Sequence, residues 1–126
     1  VAPAKAKGRK APALKEAAIE RQIVDLLECH GWYVLRTNKF ATGGAVIVQG
    51  SIELGIPDLQ ARRAVVTGLE DPWRILNQII WIEVKRPGGK VSVRQAAWHQ
   101  LAQRRGETVL VAESVDQVAA AIGVKL

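Results

Sequence analysis

With 126 residues, 48% of them hydrophobic, the chain has the apolar content of one globular domain and not that of a disordered protein. A single cysteine, Cys29, excludes an internal disulfide framework and a multi-cysteine zinc site, His30 and His99 lack zinc-ligand spacing, and no stretch approaches the ~18 apolar residues of a membrane span. The formal net charge of +6 is unevenly placed: five of the 18 basic residues lie in the first 15 positions, which hold no acid, and the rest of the chain is close to neutral.

Those five are Lys5, Lys7, Arg9, Lys10 and Lys15, set among Ala, Pro and Gly with little to bury. Residues 1–10 read as a flexible basic arm ahead of a single domain over 11–126. Such an arm either gains affinity for phosphates by counterion release or serves only as a solubilising tail. It lacks the apolar block of a secretory signal, so a reducing cytoplasm is the expected compartment, the host's if the protein is viral. The chain opens on Val1 and not on methionine, so a processed or trimmed start is expected.

Pro12 suits the first turn of a helix and Gly31 its end, and Ile19, Ile23, Leu26 and Leu27 recur at helical spacing between them, which predicts a helix over residues 13–30. At 100° per residue Glu20 lies between Leu27 and Val24, inside the apolar arc. Either its carboxylate snorkels to water from the edge of that arc, or it is an inward acid that completes a metal site. Glu16, one turn earlier on the same side, is the second choice. Residues 32–36 form a short aromatic and β-branched run, a strand. Residues 37–44 carry loop chemistry, with Arg36 and Lys39 as candidate phosphate contacts. Residues 45–49 suggest a short strand, 58–66 a core strand, 68–72 a turn and 73–85 a third strand. The second and third of the longer strands should pair antiparallel, but their turn residues do not fix the register. Gly88-Gly89 makes a turn. Ser92 then opens a helix to about residue 105, with Gln95 placed for a capping box and with Ala97, Leu101 and Ala102 as its apolar side, Trp98 adjoining. Residues 108–112 read as a strand and Ser114 as the cap of a last helix over 115–122. The predicted order is α-β-β-β-α-β-α: an α/β fold with a mixed sheet flanked by helices, in which the third strand, the helix and the last strand form a right-handed crossover.

Two motifs carry chemistry, Gly55-Ile56-Pro57-Asp58 and Trp81-Ile82-Glu83-Val84-Lys85. Alternate side chains of a strand share a face, so Glu83 and Lys85 project together while Val84 faces the other way with Ile80 and Ile82. With Asp58 on a neighbouring strand, two carboxylates converge beside one lysine. Such a set suits a hard divalent cation, and a metal between carboxylates beside a lysine is a means of cutting a phosphodiester. The bland alternative is a turn acid plus an ordinary same-face ion pair, common and weak when exposed.

Pro57-Asp58 followed by Glu83-Val84-Lys85 resembles the signature of the PD-(D/E)XK nucleases. The wider set, Gly55 to Leu59, Ile82 to Lys90, then Ser92-Val93-Arg94-Gln95 and Trp98, resembles the VRR-NUC branch, which includes small stand-alone viral and bacterial nucleases. The resemblance runs from about Glu16 to the C-terminus and is vague between Ala61 and Asn77. It implies a restriction-endonuclease-like fold and a Mg²⁺ ion, with Mn²⁺ able to substitute, held by Asp58, Glu83 and the Val84 carbonyl. Glu20 would bind a second ion or a metal-bound water. Residues Glu20 to Val24 followed by Gly31 to Arg36 also resemble archaeal-type Holliday junction resolvases, in which the matching glutamate belongs to the active site. Lys85 would lie near the attacking water and the scissile phosphate. In this branch the glutamine matching Gln95 reaches the active site, in competition with its capping role.

The products implied are 5′-phosphate and 3′-hydroxyl ends. Arg86, Lys90 and Arg94, with Arg62 and Arg63, are candidates for a DNA phosphate groove; a solvated charged face is the alternative. The resemblance also implies a homodimer that resolves four-way (Holliday) junctions in DNA repair. The runs 45–48 and 75–80 are candidate interface surfaces, or equally core. The other functions considered are a flap, nick or end-processing nuclease, a basic DNA-binding module with an inactive site, and a sequence-specific restriction enzyme, whose recognition loops 126 residues barely accommodate.

Overall fold

A computed structural model describes residues 14–37, 55–66 and 75–126. The elements expected at 1–13, 45–49 and 68–72, together with Lys39, Phe40 and Trp73, lie outside the described residues. Within them the chain runs α1 (Glu16–Cys29), β1 (Tyr33–Arg36), β2 (Leu59–Val66), β3 (Ile75–Val84), α2 (Val93–Arg104), β4 (Thr108–Ala112) and α3 (Val115–Ala121). The strands form one mixed sheet in the order β1-β2-β3-β4. The first two pairings are antiparallel, and β3 and β4, joined through α2, are parallel. No described helix is long and apolar enough to cross a membrane.

The two faces of the sheet are used differently. Leu59, Ala61, Ile80, Ile82, Val84 and Ala112 point to one face and are buried against Ile19, Ile23, Val24, Leu26 and Leu27 of α1 and Val118 and Ala119 of α3. This is the apolar core, and it accounts for the helical spacing read in α1. The opposite face carries Trp81 and Glu83, and α2 packs there: the Trp98 ring meets Trp81 edge-on at 4.9 Å. Such a T-shaped pair adds roughly 1 kcal/mol beyond the area it buries.

Helix ends follow the sequence where a capping side chain is present. Ser92 caps α2, with Gln95 as its reciprocal partner, and Ser114 caps α3. The three described helices close in the same way. Gly31, Gly106 and Gly123 take positive φ just past the ends, and the next residue's amide reaches back to the helix: Trp32 to Leu27, Glu107 to Ala102 and Val124 to Ala119. The start of α1 departs from expectation. It begins at Glu16 and not at residue 13: its N-cap, Lys15, supplies no side-chain cap, and Leu14 is exposed.

The apolar side of α2 also differs. Trp98, His99 and Ala102 are buried, whereas Ala97 is exposed and Leu101 is 54% exposed. The inward set is Gln95, Trp98, His99 and Ala102, spaced i, i+3, i+4, i+7. A hydrogen bond from Gln95 to Glu83, described below, fixes that rotation of the helix.

Gly55 ties the loop before β2 to α2. Its φ is +86°, and a Cβ there would lie 2.5 Å from the Arg94 carbonyl oxygen and 2.8 Å from its carbon. Backbone thus packs directly on backbone, three residues before Asp58. Gly55→Ala is expected to cost at least about 2 kcal/mol, from left-handed strain together with displacement of the α2 first turn. Urea denaturation of the variant would measure this, and a loss below about 0.5 kcal/mol would mean that the contact is not structural.

Candidate active site

The register left open by the sequence pairs Leu59 with Ile82. One step further, past the end of the ladder, Asp58 comes opposite Glu83. There side chains take over from backbone pairing. The Asp58 carboxylate accepts the Val84 amide at 2.8 Å, and the Glu83 carboxylate accepts the Asp58 amide at 3.3 Å. This explains why β2 starts at Leu59 and not at Asp58, whose own carbonyl instead accepts the Thr37 amide at 2.9 Å. The Thr37 hydroxyl donates to the carbonyl of buried Pro57. The end of β1 thereby holds the Pro57-Asp58 segment in place.

Glu83 is the centre of the cluster and is 1% exposed. Its Oε1 accepts the Gln95 side-chain amide and lies 3.5 Å from the Lys85 ammonium. The capping and active-site roles of Gln95 turn out to be compatible. Its oxygen accepts the Ser92 amide at 2.8 Å while its nitrogen donates to Glu83. The capping box therefore orients the amide that holds Glu83.

Burial first, and then the Asp58 charge, push the Glu83 carboxyl up to about 7, with Lys85 and the Asp58 amide only partly countering them. Asp58 is also pushed up, chiefly by burial and then by the Glu16 charge, against the hydrogen bond from Val84 and the Lys85 charge. Two carboxylates that burial and a neighbouring negative charge push toward the neutral form, beside one ammonium, are short of positive charge. An all-oxygen pair of this kind fits a divalent cation. The Val84 amide points to the side of Asp58, and in a strand the carbonyl of the same residue points the same way, toward the gap where β2 has ended. That carbonyl fits as a third oxygen donor.

The other expected residues are placed less centrally. Glu20 is half-buried on α1. Among the described residues no group of three or more His, Cys, Asp or Glu is arranged to hold a metal, so Glu20 does not join Asp58 and Glu83 in a ligand cluster. Glu16, the second choice, is near enough to raise Asp58 and accepts the Arg86 amide at 3.5 Å.

Arg86, Lys90 and Arg94 are exposed on the segment leading from β3 into α2. Arg36 ends β1 opposite Leu59, at the Asp58 end of the sheet. Arg62 and Arg63 do not share a surface, because neighbours on a strand point to opposite faces. The Arg62 guanidinium lies 5.1 Å from the centre of the exposed Tyr33 ring, whereas Arg63 lies over Trp32 and donates to Gln78 at 2.8 Å.

One buried polar residue was missed. His99 is 7% exposed, one turn after Gln95 on the inward face of α2. Testing it for zinc spacing alone passed over it. The signal that would have found it is its place in the i, i+3, i+4, i+7 set that includes Gln95.

Comparison with protein-family models gives no match, and comparison with curated proteins gives none either.

Proposed function

We propose that this chain is a metal-dependent, structure-specific DNA endonuclease with a restriction-endonuclease-like fold, of the VRR-NUC branch of PD-(D/E)XK nucleases. The observation that carries the reading is the Asp58–Glu83 pairing past the end of the β2–β3 ladder, with Lys85 at 3.5 Å and Gln95 bound to the same carboxylate. An ion pair formed by chance needs none of this. Burying two carboxylates side by side is weak evidence for a stabilising role, so their arrangement is better explained by a cation that they bind.

Asp58, Glu83 and the Val84 carbonyl would hold Mg²⁺ or Mn²⁺. When bound, that ion supplies Lewis-acid stabilisation of the phosphate and lowers the pKa of a bound water. Lys85 lies beside the same carboxylate, where its ammonium neutralises charge that develops on the phosphate. Gln95 keeps Glu83 in one orientation. Arg36, Arg86, Lys90 and Arg94, near the Asp58 end of the sheet and the start of α2, supply sequence-independent phosphate contacts. A homodimer would match the two-fold symmetry of a four-way junction, and either Leu76 or Ile79, 55% and 38% exposed on opposite faces of β3, is a candidate for its interface.

The test is cleavage of a synthetic four-way junction against linear duplex, with Mg²⁺, with Ca²⁺ and in EDTA, together with sedimentation of the free protein. Junction cutting that needs Mg²⁺ and leaves 5′-phosphates, by a dimer, is expected. A monomer that cuts flaps or nicks but not junctions would move the substrate to replication or repair intermediates. Metal-dependent binding without cutting of any substrate would leave a DNA-binding module. Full cleavage in EDTA would remove the metal from the mechanism.

A further inference from the structure

The sheet face that carries Glu83 is only partly covered by the described residues. Alternation puts Trp81 of β3 and Gln60, Arg62 and Ala64 of β2 on that face, and the register sets Tyr33 of β1 beside Arg62. Trp98 of α2 packs on Trp81, whereas Tyr33, Arg62, Ala64 and Asn77 are exposed. An exposed aromatic residue alone means little. Here a cation and a cavity meet it. The Arg62 guanidinium lies 5.1 Å from the Tyr33 ring centre, within cation–π range. Even so Tyr33 is 59% exposed, so ring surface is left for a flat partner. β1 starts at Tyr33, opposite Arg62, while β2 runs on to Val66. At this step lies an open cavity of about 260 Å³, lined by Tyr33, Arg62, Arg63, Ala64 and Asn77. It has room for one flat heterocycle and not for a duplex. An aromatic ring, a guanidinium plane and a side-chain amide are the groups that hold an unpaired nucleobase: the planes stack on it, the cation attracts its phosphate, and the amide bonds its edge. The chain's net charge of +6 favours such a polyanion over a neutral ligand.

We propose that Tyr33 and Arg62 form a stacking site for one unpaired nucleobase of the DNA substrate. Arg62 is four residues from Asp58 along the chain, about 13 Å at ~3.3 Å per residue, which is about four nucleotides of a stacked strand at ~3.4 Å each and fewer of an extended one. The substrate class is therefore DNA with an unpaired strand next to the cut, as at the opened centre of a junction or at a flap, and not continuous duplex. Stacking tolerates any base, which fits recognition of structure without sequence. The place of the base relative to the cut rests on the nuclease reading; the binding of an unpaired strand does not. This use of the face leaves Leu76, on the other one, as the dimer-interface candidate.

The test uses the full-length chain in Ca²⁺ and two DNA probes, a blunt duplex and the same duplex with a single-stranded arm. Tyr33→Ala is expected to weaken binding of the armed probe by roughly 10-fold, within the range for losing one base–aromatic stack, and to leave the blunt duplex nearly unchanged. Tyr33→Phe should keep the wild-type preference, because stacking needs the ring and not the hydroxyl. Arg62→Ala should weaken the armed probe too and reduce its salt slope by about 0.7, the value for one single-strand phosphate, whereas Tyr33→Ala should leave the slope alone. With 2-aminopurine placed at each arm position in turn, fluorescence should be quenched at one position by the wild type and by Tyr33→Phe, but not by Tyr33→Ala. Equal weakening of both probes by Tyr33→Ala, or none, would overturn the proposal. Unchanged affinity with a lower melting temperature would make Tyr33 and Arg62 an ordinary cross-strand pair that holds the edge strand. Tyr33→Leu replaces the alanine variant if that one does not fold. A Tyr33-dependent preference without cutting in Mg²⁺ overturns the nuclease reading alone, and Mg²⁺-dependent cutting with armed-probe binding indifferent to Tyr33 overturns this one alone.

Discussion

Glu83→Gln should reduce cleavage in saturating Mg²⁺ by at least about 10³-fold while leaving the protein folded and able to bind DNA. The size follows from the chemistry. A metal in such a site contributes several kcal/mol of charge stabilisation, and every 1.36 kcal/mol is a factor of ten in rate. An amide of the same shape has one neutral oxygen where Glu83 has two charged ones, so it cannot share the ion with Asp58. The fold should survive for an equally local reason. The amide oxygen can still accept from the Gln95 amide, and the conflict left at the Asp58 amide, now 3.3 Å from a carboxylate oxygen, costs on the order of 1–3 kcal/mol. Against that cost, a 1%-exposed charge has been removed. DNA affinity should be unchanged or higher, since one negative charge no longer faces the phosphates. Single-turnover kinetics, a binding titration in Ca²⁺ and a thermal melt distinguish the outcomes. A folded variant that cuts at the wild-type rate would rule Glu83 out as a metal ligand. A variant that does not fold would make the carboxylate a structural group.

The residue types of the site were legible in the sequence, but their meeting was not. Alternation along β3 placed Glu83 and Lys85 on one face, because a strand leaves no other choice. Whether Asp58 reached them depended on the β2–β3 register, and residues 67–74 give no turn signal strong enough to fix it. The register is set by which apolar side chains reach the core, Leu59 and Ala61 against Ile80 and Ile82, and this is a property of the packed sheet. Gln95 was read as torn between two roles because its side chain was treated as one group. Its oxygen and nitrogen are separate partners, and the structure uses both. The rotation of α2 escaped for a related reason. Ala97, Leu101 and Ala102 look like an apolar side by composition, yet a polar anchor at Gln95 turns the helix and buries His99 instead of Leu101. Which acid of α1 lies nearest Asp58 was not legible either: exposed Glu16 raises Asp58 and accepts the Arg86 amide, a contact with the segment after β3 that no local pattern encodes.

The metal-free protein should lose stability as the pH rises from about 5 to about 8. Unfolded, the Glu83 carboxyl titrates near 4.5; folded, burial and Asp58 raise it to about 7. Between those values the folded protein holds a proton that the unfolded chain has released, so the unfolding free energy falls with rising pH. The contribution is present in full below the lower value and is lost through the upper one. It amounts to up to about 3 kcal/mol if the whole shift is realised, at 1.36 kcal/mol for each pH unit. Asp58, also pushed up, acts in the same direction from a lower starting point. His99 opposes both. Its basicity is lowered by burial and by Lys85, so protonation favours the unfolded chain and stability rises with pH up to about the ordinary histidine value of 6.5. The two effects separate by difference. Denaturation of wild type and Glu83→Gln should be compared in EDTA at pH 5, 6, 7 and 8. The histidine contribution is common to both proteins and cancels, and the variant should gain on the wild type with each step. Mg²⁺ added at pH 8 should then raise the wild-type midpoint and leave the variant nearly unmoved, because a ligand stabilises only the state that binds it. A wild-type-minus-variant difference that stays flat from pH 5 to pH 8 would mean that Glu83 is already ionised without a cation, and the charge deficit that points to a metal would not exist.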